Sequence, residues 1–188
     1  MSQTRLLALV GSLRAASFNR QLAEAAAQTA PEGVEVAIFE GLGDIPFYNE
    51  DVDVPGRVPA TADALREAVA AADGLLLFVP EYNGTIPAAL KNAIDWASRP
   101  YGDGSIKGKP AAVISASISQ NAAKWSHGDT VKALTVAGAS VVESAHLHFA
   151  TIGQRFAEAH PREDAEALTQ LAAAVGDLVG AVRARVDA

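Results

Sequence analysis

A three-layer α/β/α fold built on a parallel sheet is what these 188 residues predict. Three observations carry that expectation. Apolar runs of strand length alternate with amphipathic stretches of helix length along the whole chain, and strict alternation favours parallel pairing through right-handed crossovers. Leu6 to Val10, Gly74 to Val79 and Pro110 to Ser115 are continuously apolar, as strands covered on both faces must be. Two of the joints from strand to helix are rich in Gly, Ser, Asn or Pro, residues that shape tight turns and leave backbone donors free.

Taken in order, Leu6 to Val10 reads as a central strand, followed by the loop Gly11 to Asn19 and a helix over Asn19 to Ala30. Gly33 to Phe39 alternates weakly through Val34, Val36 and Ile38, which puts it nearer an edge. Glu40 to Val58, with scattered Gly, Pro, Asn and Asp, is a long loop of the kind often kept for function. A helix over Pro59 to Ala72, the strand Gly74 to Val79 and a helix over Pro87 to Ser98 come next. The strand Pro110 to Ser115, a helix from about Ala122 to Ala137 and a fifth strand around Val141 and Val142 lead to a last helix, Arg162 to Val186. That helix spaces Leu168, Leu171, Val175, Leu178, Val179 and Val182 as one apolar stripe. Five strands and five helices suit the flavodoxin-like sheet order 2-1-3-4-5, which places a ligand at the carboxyl ends of strands one and three.

Composition sets the bounds. At 49% hydrophobic, 20% charged and a mean hydropathy of +0.14, the chain reads as one compact domain over residues 1–188. A net charge of −7 argues against nucleic acid, which needs a clustered basic face. Zero cysteines exclude disulfides, thiolate metal sites and cysteine nucleophiles, so redox chemistry requires a bound cofactor. No run reaches the roughly 20 apolar residues of a membrane span. Met1 to Arg5 lacks the pattern of a signal peptide, and the expected location is the cytoplasm.

The two special joints follow strands one and three. In Gly11-Ser12-Leu13-Arg14-Ala15-Ala16-Ser17-Phe18-Asn19, the hydroxyls of Ser12 and Ser17, the amide of Asn19, the Arg14 guanidinium and a helix N-terminus form a phosphate cradle. The loop is neither a Walker A nor a Gly-x-Gly-x-x-Gly sequence, which demotes triphosphates and Rossmann dinucleotides. In Pro80-Glu81-Tyr82-Asn83-Gly84, Pro80 ends the strand, Gly84 permits a positive φ and the amides between them suit the edge of a flat polar ring. Together they point to flavin mononucleotide, FMN. Plainer readings stand beside this one: Ser17 or Asn19 as a helix cap, Arg14 as a solvated side chain, and the second loop as an ordinary turn before Pro87. Lys91 and Asp95 read as an i,i+4 pair and Trp96 as core in either case.

Ser115-Ala116-Ser117 either reaches the same pocket or caps a helix. His127, His146, His148 and His160 form no metal pattern; His146 and His148 share one face of a strand-like segment. No Gly-x-Ser-x-Gly elbow is present, and no side chain is assigned a catalytic role.

The first loop, then Ile45-Pro46-x-Tyr48-Asn49, then Pro80-Glu81-Tyr82-Asn83-Gly84-x-Ile86-Pro87-x-x-Leu90-Lys91-Asn92-Ala93-Ile94-Asp95-Trp96, closely resemble the NADPH-dependent FMN reductase family, which includes chromate, quinone and azo-dye reductases. The resemblance implies a flavodoxin-like fold, non-covalent FMN, and hydride transfer from NADPH or NADH through the flavin to a loosely selected small-molecule acceptor. It implies a homodimer or homotetramer. Carried over by position, Ser12, Arg14, Ser17 and Asn19 would hold the phosphate, with Phe18 among them. Pro80, Glu81, Tyr82, Asn83 and Gly84 would line the ring, and Ser117 would lie near the ribityl chain or ring. The resemblance weakens over Ile118 to His127, which bears on the nicotinamide or acceptor side; Trp125 there either stacks over an open flavin face or packs against a neighbour. An electron carrier of the same fold and a regulatory protein that merely keeps FMN are the alternatives.

Overall fold

In the computed structural model, which describes residues 3–186, the chain begins with β1 (Thr4–Val10) and α1 (Phe18–Gln28), then β2 (Val34–Ile38) and α2 (Ala60–Ala71). Met1 and Ser2 lie outside the described residues. β3 (Gly74–Val79), α3 (Ala88–Ala97), β4 (Pro110–Ala116) and α4 (Lys124–Val136) follow; β5 (Ser140–Val141), β6 (Leu147–Phe149), α5 (Ile152–Arg155) and α6 (Ala165–Val186) complete the order. The sheet runs β2-β1-β3-β4-β5 with every pairing parallel, and β6 adds to β4. Register is set at the centre by Leu6 opposite Gly74 and Leu75 opposite Ala111.

Side chains alternate across each strand, so two cores form from one sheet. Leu6, Ala8, Val10, Leu76, Phe78 and Ile114 face α1 and α6, where Leu22, Leu171, Val175 and Leu178 meet them. Leu7, Leu9, Leu75, Leu77 and Val113 face the opposite layer and pack on Leu65, Val69, Leu90, Ile94 and Trp96. Gly74 sits where a Cβ would come within 3.0 Å of both Leu6 and Val182, which is why the central strand starts without a side chain.

Besides the short helix α5, which the sequence reading did not expect, the structure differs from the sequence expectation in three places. The sheet has six strands, because the fifth position is shared: β5 covers Pro110 and Ala111 of β4, a 3-10 turn over Glu143–Ala145 intervenes, and β6 covers Ile114 to Ala116. The last helix begins at Ala165, since a separate 3-10 turn occupies Pro161–Glu163. Third, Ala165–Arg185 is long and apolar enough, by length and composition alone, to cross a membrane, because its many alanines raise a helix whose stripe is already apolar. Leu171, Val175, Leu178 and Val182 of that stripe are buried against the sheet.

The long loop after β2 is pinned rather than loose. Its Leu42 and Ile45 are buried, and the Pro46 carbonyl accepts from Asn92 Nδ2 at 3.0 Å and Trp96 Nε1 at 2.8 Å. Arg66 pairs with Asp53 at 2.8 Å and lies 5.1 Å over the Trp96 ring. Lys91 and Asp95 form the expected pair at 2.6 Å.

A cleft at the carboxyl ends of three strands

The two special loops leave neighbouring strands on the same edge of the sheet, and they touch. The Gly11 amide donates to the Phe78 carbonyl at 2.9 Å, and a Cβ at Gly11 would stand 3.0 Å from the Pro80 ring, so only glycine lets the first loop lie this close to the second. Between them opens a cleft of about 360 Å³, within the range of small-molecule sites. The first loop contributes Ser12, Arg14, Ser17, Phe18 and Asn19; the second contributes Pro80, Glu81 and Tyr82; the end of β4 contributes Ala116 and Ser117. Ile118 and Ile152 close it, and neither was singled out from sequence as a lining residue. Asn83 and Gly84 do not line it. They form the Asn-Gly tip of a tight turn, at φ of 53° and 76°, between Tyr82 and Thr85, which pair as an isolated bridge.

Ser17 caps α1: it is buried, extended in backbone, and its Oγ accepts from the Asn19 amide at 3.2 Å. Capping uses a lone pair and leaves the hydroxyl proton free to donate. Asn19 is buried as well. Its Nδ2 donates to the Ala116 carbonyl at 3.4 Å, tying α1 to the end of β4, and its Oδ1, closed off from solvent, has no partner among the described residues. Swapping the two amide atoms would set oxygen against the Ala116 carbonyl, so the chemistry of the contact fixes the orientation. Arg14 is exposed on the loop and, among the described residues, has no ion-pair partner. The nearby Arg20 is engaged instead, by Glu24 at 3.2 Å and by both carboxylate oxygens of Glu40, which it holds below the usual carboxylate range.

The second loop is fastened to α4. That helix starts badly: Ala122 and Ala123 both have positive φ, and no side chain of its own caps it. Glu81 supplies the missing acceptor. Its Oε2 takes the amides of Trp125 at 3.1 Å and Ser126 at 3.2 Å, while Ser126 Oγ donates to the Pro80 carbonyl at 2.8 Å. Thr85 Oγ1 donates to Asp129 at 2.5 Å. The Glu81 carboxylate is therefore committed to the helix. Tyr82 is half exposed, with its hydroxyl 3.5 Å from Ser12 Oγ, a loose contact at the limit of a hydrogen bond.

At the end of β4 the two serines part. Ser117 lines the cleft and accepts the Ser119 amide at 3.1 Å, whereas Ser115 is buried, donates to the Ala122 carbonyl at 2.8 Å and meets His148 Nδ1 at 2.8 Å. His127 completes a group with the two β6-side histidines: its Nε2 is 3.1 Å from His146 Nδ1 and its ring centroid 4.2 Å from that of His148. Burial and the neighbouring His148 and His146 hold the His127 pKa down to about 3. His127 Nδ1 and His146 Nε2 are buried without partners, and the group meets no metal-site pattern among the described residues.

Known proteins resemble this chain in sequence and in fold. The model of the NADPH-dependent FMN reductase family matches residues 4–154. A 2-hydroxy-1,4-benzoquinone reductase of a Burkholderia species is 46% identical over 114 residues, 61% of each chain. A quinone reductase of Pseudomonas putida is 45% identical over 118 residues, 62% of each chain. The match thus spans about three-fifths of the length of these curated relatives. A flavoenzyme NAD(P)H:(acceptor) oxidoreductase of Paracoccus denitrificans superposes with a TM-score of 0.76 at 29% identity, over 96% of this chain and 97% of that one.

Proposed function

The chain belongs to the NADPH-dependent FMN reductase family, and from that premise we propose that it is an NAD(P)H-dependent flavoprotein reducing small-molecule acceptors, quinones first among them, with azo dyes, metal oxyanions and flavins as the wider class. The observation that carries the reading is the cleft at the carboxyl ends of β1, β3 and β4, walled by Ser12, Arg14, Ser17 and Asn19 of the first loop and by Pro80 and Tyr82 of the second.

The residues present fit FMN. Ser12 and Ser17 offer hydroxyl donors, Arg14 an unpaired guanidinium and α1 its N-terminus, a set suited to a phosphate dianion in an acidic protein. Asn19 lines the cleft and, through its bond to the Ala116 carbonyl, fixes the phosphate turn against the end of β4. Phe18 and Ile152 give apolar wall, Pro80 and Tyr82 a floor beside the ring, and Ser117 a hydroxyl at the β4 side. Glu81 acts through α4, which its carboxylate caps. FMN held there would supply the redox chemistry between the nicotinamide and the acceptor. The side chains orient and exclude water; none is required as an acid or base.

A homodimer or homotetramer in the cytoplasm completes the proposal. Tyr101 and Val136, respectively 88% and 79% exposed, flank a cavity of about 380 Å³ between α3 and α4, a surface that a second copy would cover. The test of function is an FMN titration followed by anaerobic reduction with NADPH or NADH and a quinone panel. Turnover supports the reductase; reduction without steady turnover identifies an electron carrier; flavin retained but never reduced identifies a regulatory protein.

A further inference from the structure

Trp125 is 66% exposed, whereas Trp96, the chain's other tryptophan, is fully buried. An indole left in water forgoes one of the largest burial gains available to a side chain, so what holds it there is informative. The first turns of α4 are clamped to the second loop. Glu81 binds the amides of Trp125 and Ser126, the Ser126 hydroxyl binds the Pro80 carbonyl, and Asp129 binds Thr85. The clamp sets the indole against the turn. A methyl group added at Gly84 would stand 3.4 Å from its six-membered ring. Trp125 stands outside the cleft, on the turn whose Tyr82 lines it; Tyr82 and Ile118, 52% and 75% exposed, are apolar residues of the cleft wall.

We propose that Trp125 is a specificity-determining residue, the platform on which a flat, uncharged aromatic acceptor of the quinone class lies as it enters the cleft. This deepens the flavin-reductase reading and rests on it. A quinone carries no charge, and the charge around the indole is mixed: the carboxylates of Glu81 and Asp129 are offset by the Lys124 ammonium of the neighbouring residue. An indole face stacks on an electron-poor ring with little loss of freedom, since the helix clamp already fixes its backbone. Planar fused-ring quinones are therefore favoured over compact inorganic acceptors such as ferricyanide.

The test compares the FMN-loaded wild type with Trp125→Ala and Trp125→Phe. The KM for menadione is expected to rise about tenfold in the alanine variant with little change in kcat, and to return most of the way in the phenylalanine variant. The KM for ferricyanide moves far less. Without nicotinamide, menadione saturably quenches tryptophan emission of the oxidised wild type but not of Trp125→Phe, in which only the buried Trp96 emits. An unchanged menadione KM, or an equal rise for ferricyanide, overturns the proposal. So does a fall in molecular mass by light scattering in the alanine variant, which would make Trp125 a contact between copies. FMN titration separates the two levels: if the wild type retains no FMN, the reading beneath falls and takes this one with it. If both proteins retain FMN and the menadione KM is unchanged, only the role of Trp125 falls.

Discussion

Arg14 and Ser17 stand in one turn, yet their removal should have different consequences. Arg14 is exposed and unpaired among the described residues, so Arg14→Ala should leave unfolding in urea unchanged while weakening FMN binding by roughly tenfold or more, the worth of a charge-assisted contact. Ser17 caps α1, so Ser17→Ala should weaken FMN binding and also lower stability by about 1 kcal/mol. Paired urea melts and flavin titrations distinguish them. His127 yields a pH prediction. Its folded pKa of about 3 lies well below the roughly 6.5 of an unfolded chain, so the unfolded state takes up protons first as pH falls. Stability is therefore full above about pH 6.5 and declines toward pH 3, and between pH 7.5 and pH 5 the loss from His127 should be roughly 2 kcal/mol. His146 and His148, both also held low chiefly by burial, act in the same direction; Glu143 opposes the shift on His146, and Lys124 adds to that on His148. Urea unfolding of wild type and His127→Gln at the two pH values should show the variant with the shallower dependence. From the sequence, His146 and His148 were recognisable as a pair by their alternation, but His127 was not their visible partner, because nothing local marks a contact made across 19 residues from a helix.

Among the elements, α4 shows why a helix can be readable while its start is not. The sequence places it about two residues early at Ala122, for the Ala-rich lead-in looks helical, yet Ala122 and Ala123 adopt left-handed φ and the cap comes from Glu81, more than forty residues away. Glu81→Ala should then fray the first turn of α4. The expected result is faster hydrogen exchange at the amides of Trp125 and Ser126 and a loss of about 1 kcal/mol, with Glu81→Gln recovering part of it through its remaining acceptor. Exchange confined to other segments would contradict the capping role. The split fifth strand was hidden for a different reason: two residues in β5 and three in β6 are too few for any period to register. Central strands were legible because burial on both faces forces an unbroken apolar run, and the two loops because glycine, proline and asparagine are required where backbones approach or φ turns positive.

At the scale of the whole molecule, strand order followed from alternation and crossover handedness, and the placement of the two loops side by side followed from strand order. That arrangement couples the cleft to global stability. The loops spring from β1 and β3, the strands shared by both cores, and Asn19 ties α1 to the end of β4, so unfolding anywhere in the central sheet dismantles the cleft. A ligand held there should therefore stabilise the entire fold and not one segment. At free FMN a hundredfold above its dissociation constant, linkage adds about 2.7 kcal/mol, which for a chain of this size raises Tm by roughly 5–10 °C. Riboflavin has the same ring without the phosphate. It leaves Arg14, Ser12 and the α1 terminus without their partner and should give a much smaller shift at the same concentration, as should FMN on Arg14→Ala. Thermal melts of the apo protein with each ligand make the comparison. Equal shifts from FMN and riboflavin would mean that the first loop does not grip a phosphate and that Ser12, Arg14 and the α1 terminus have no part in holding one.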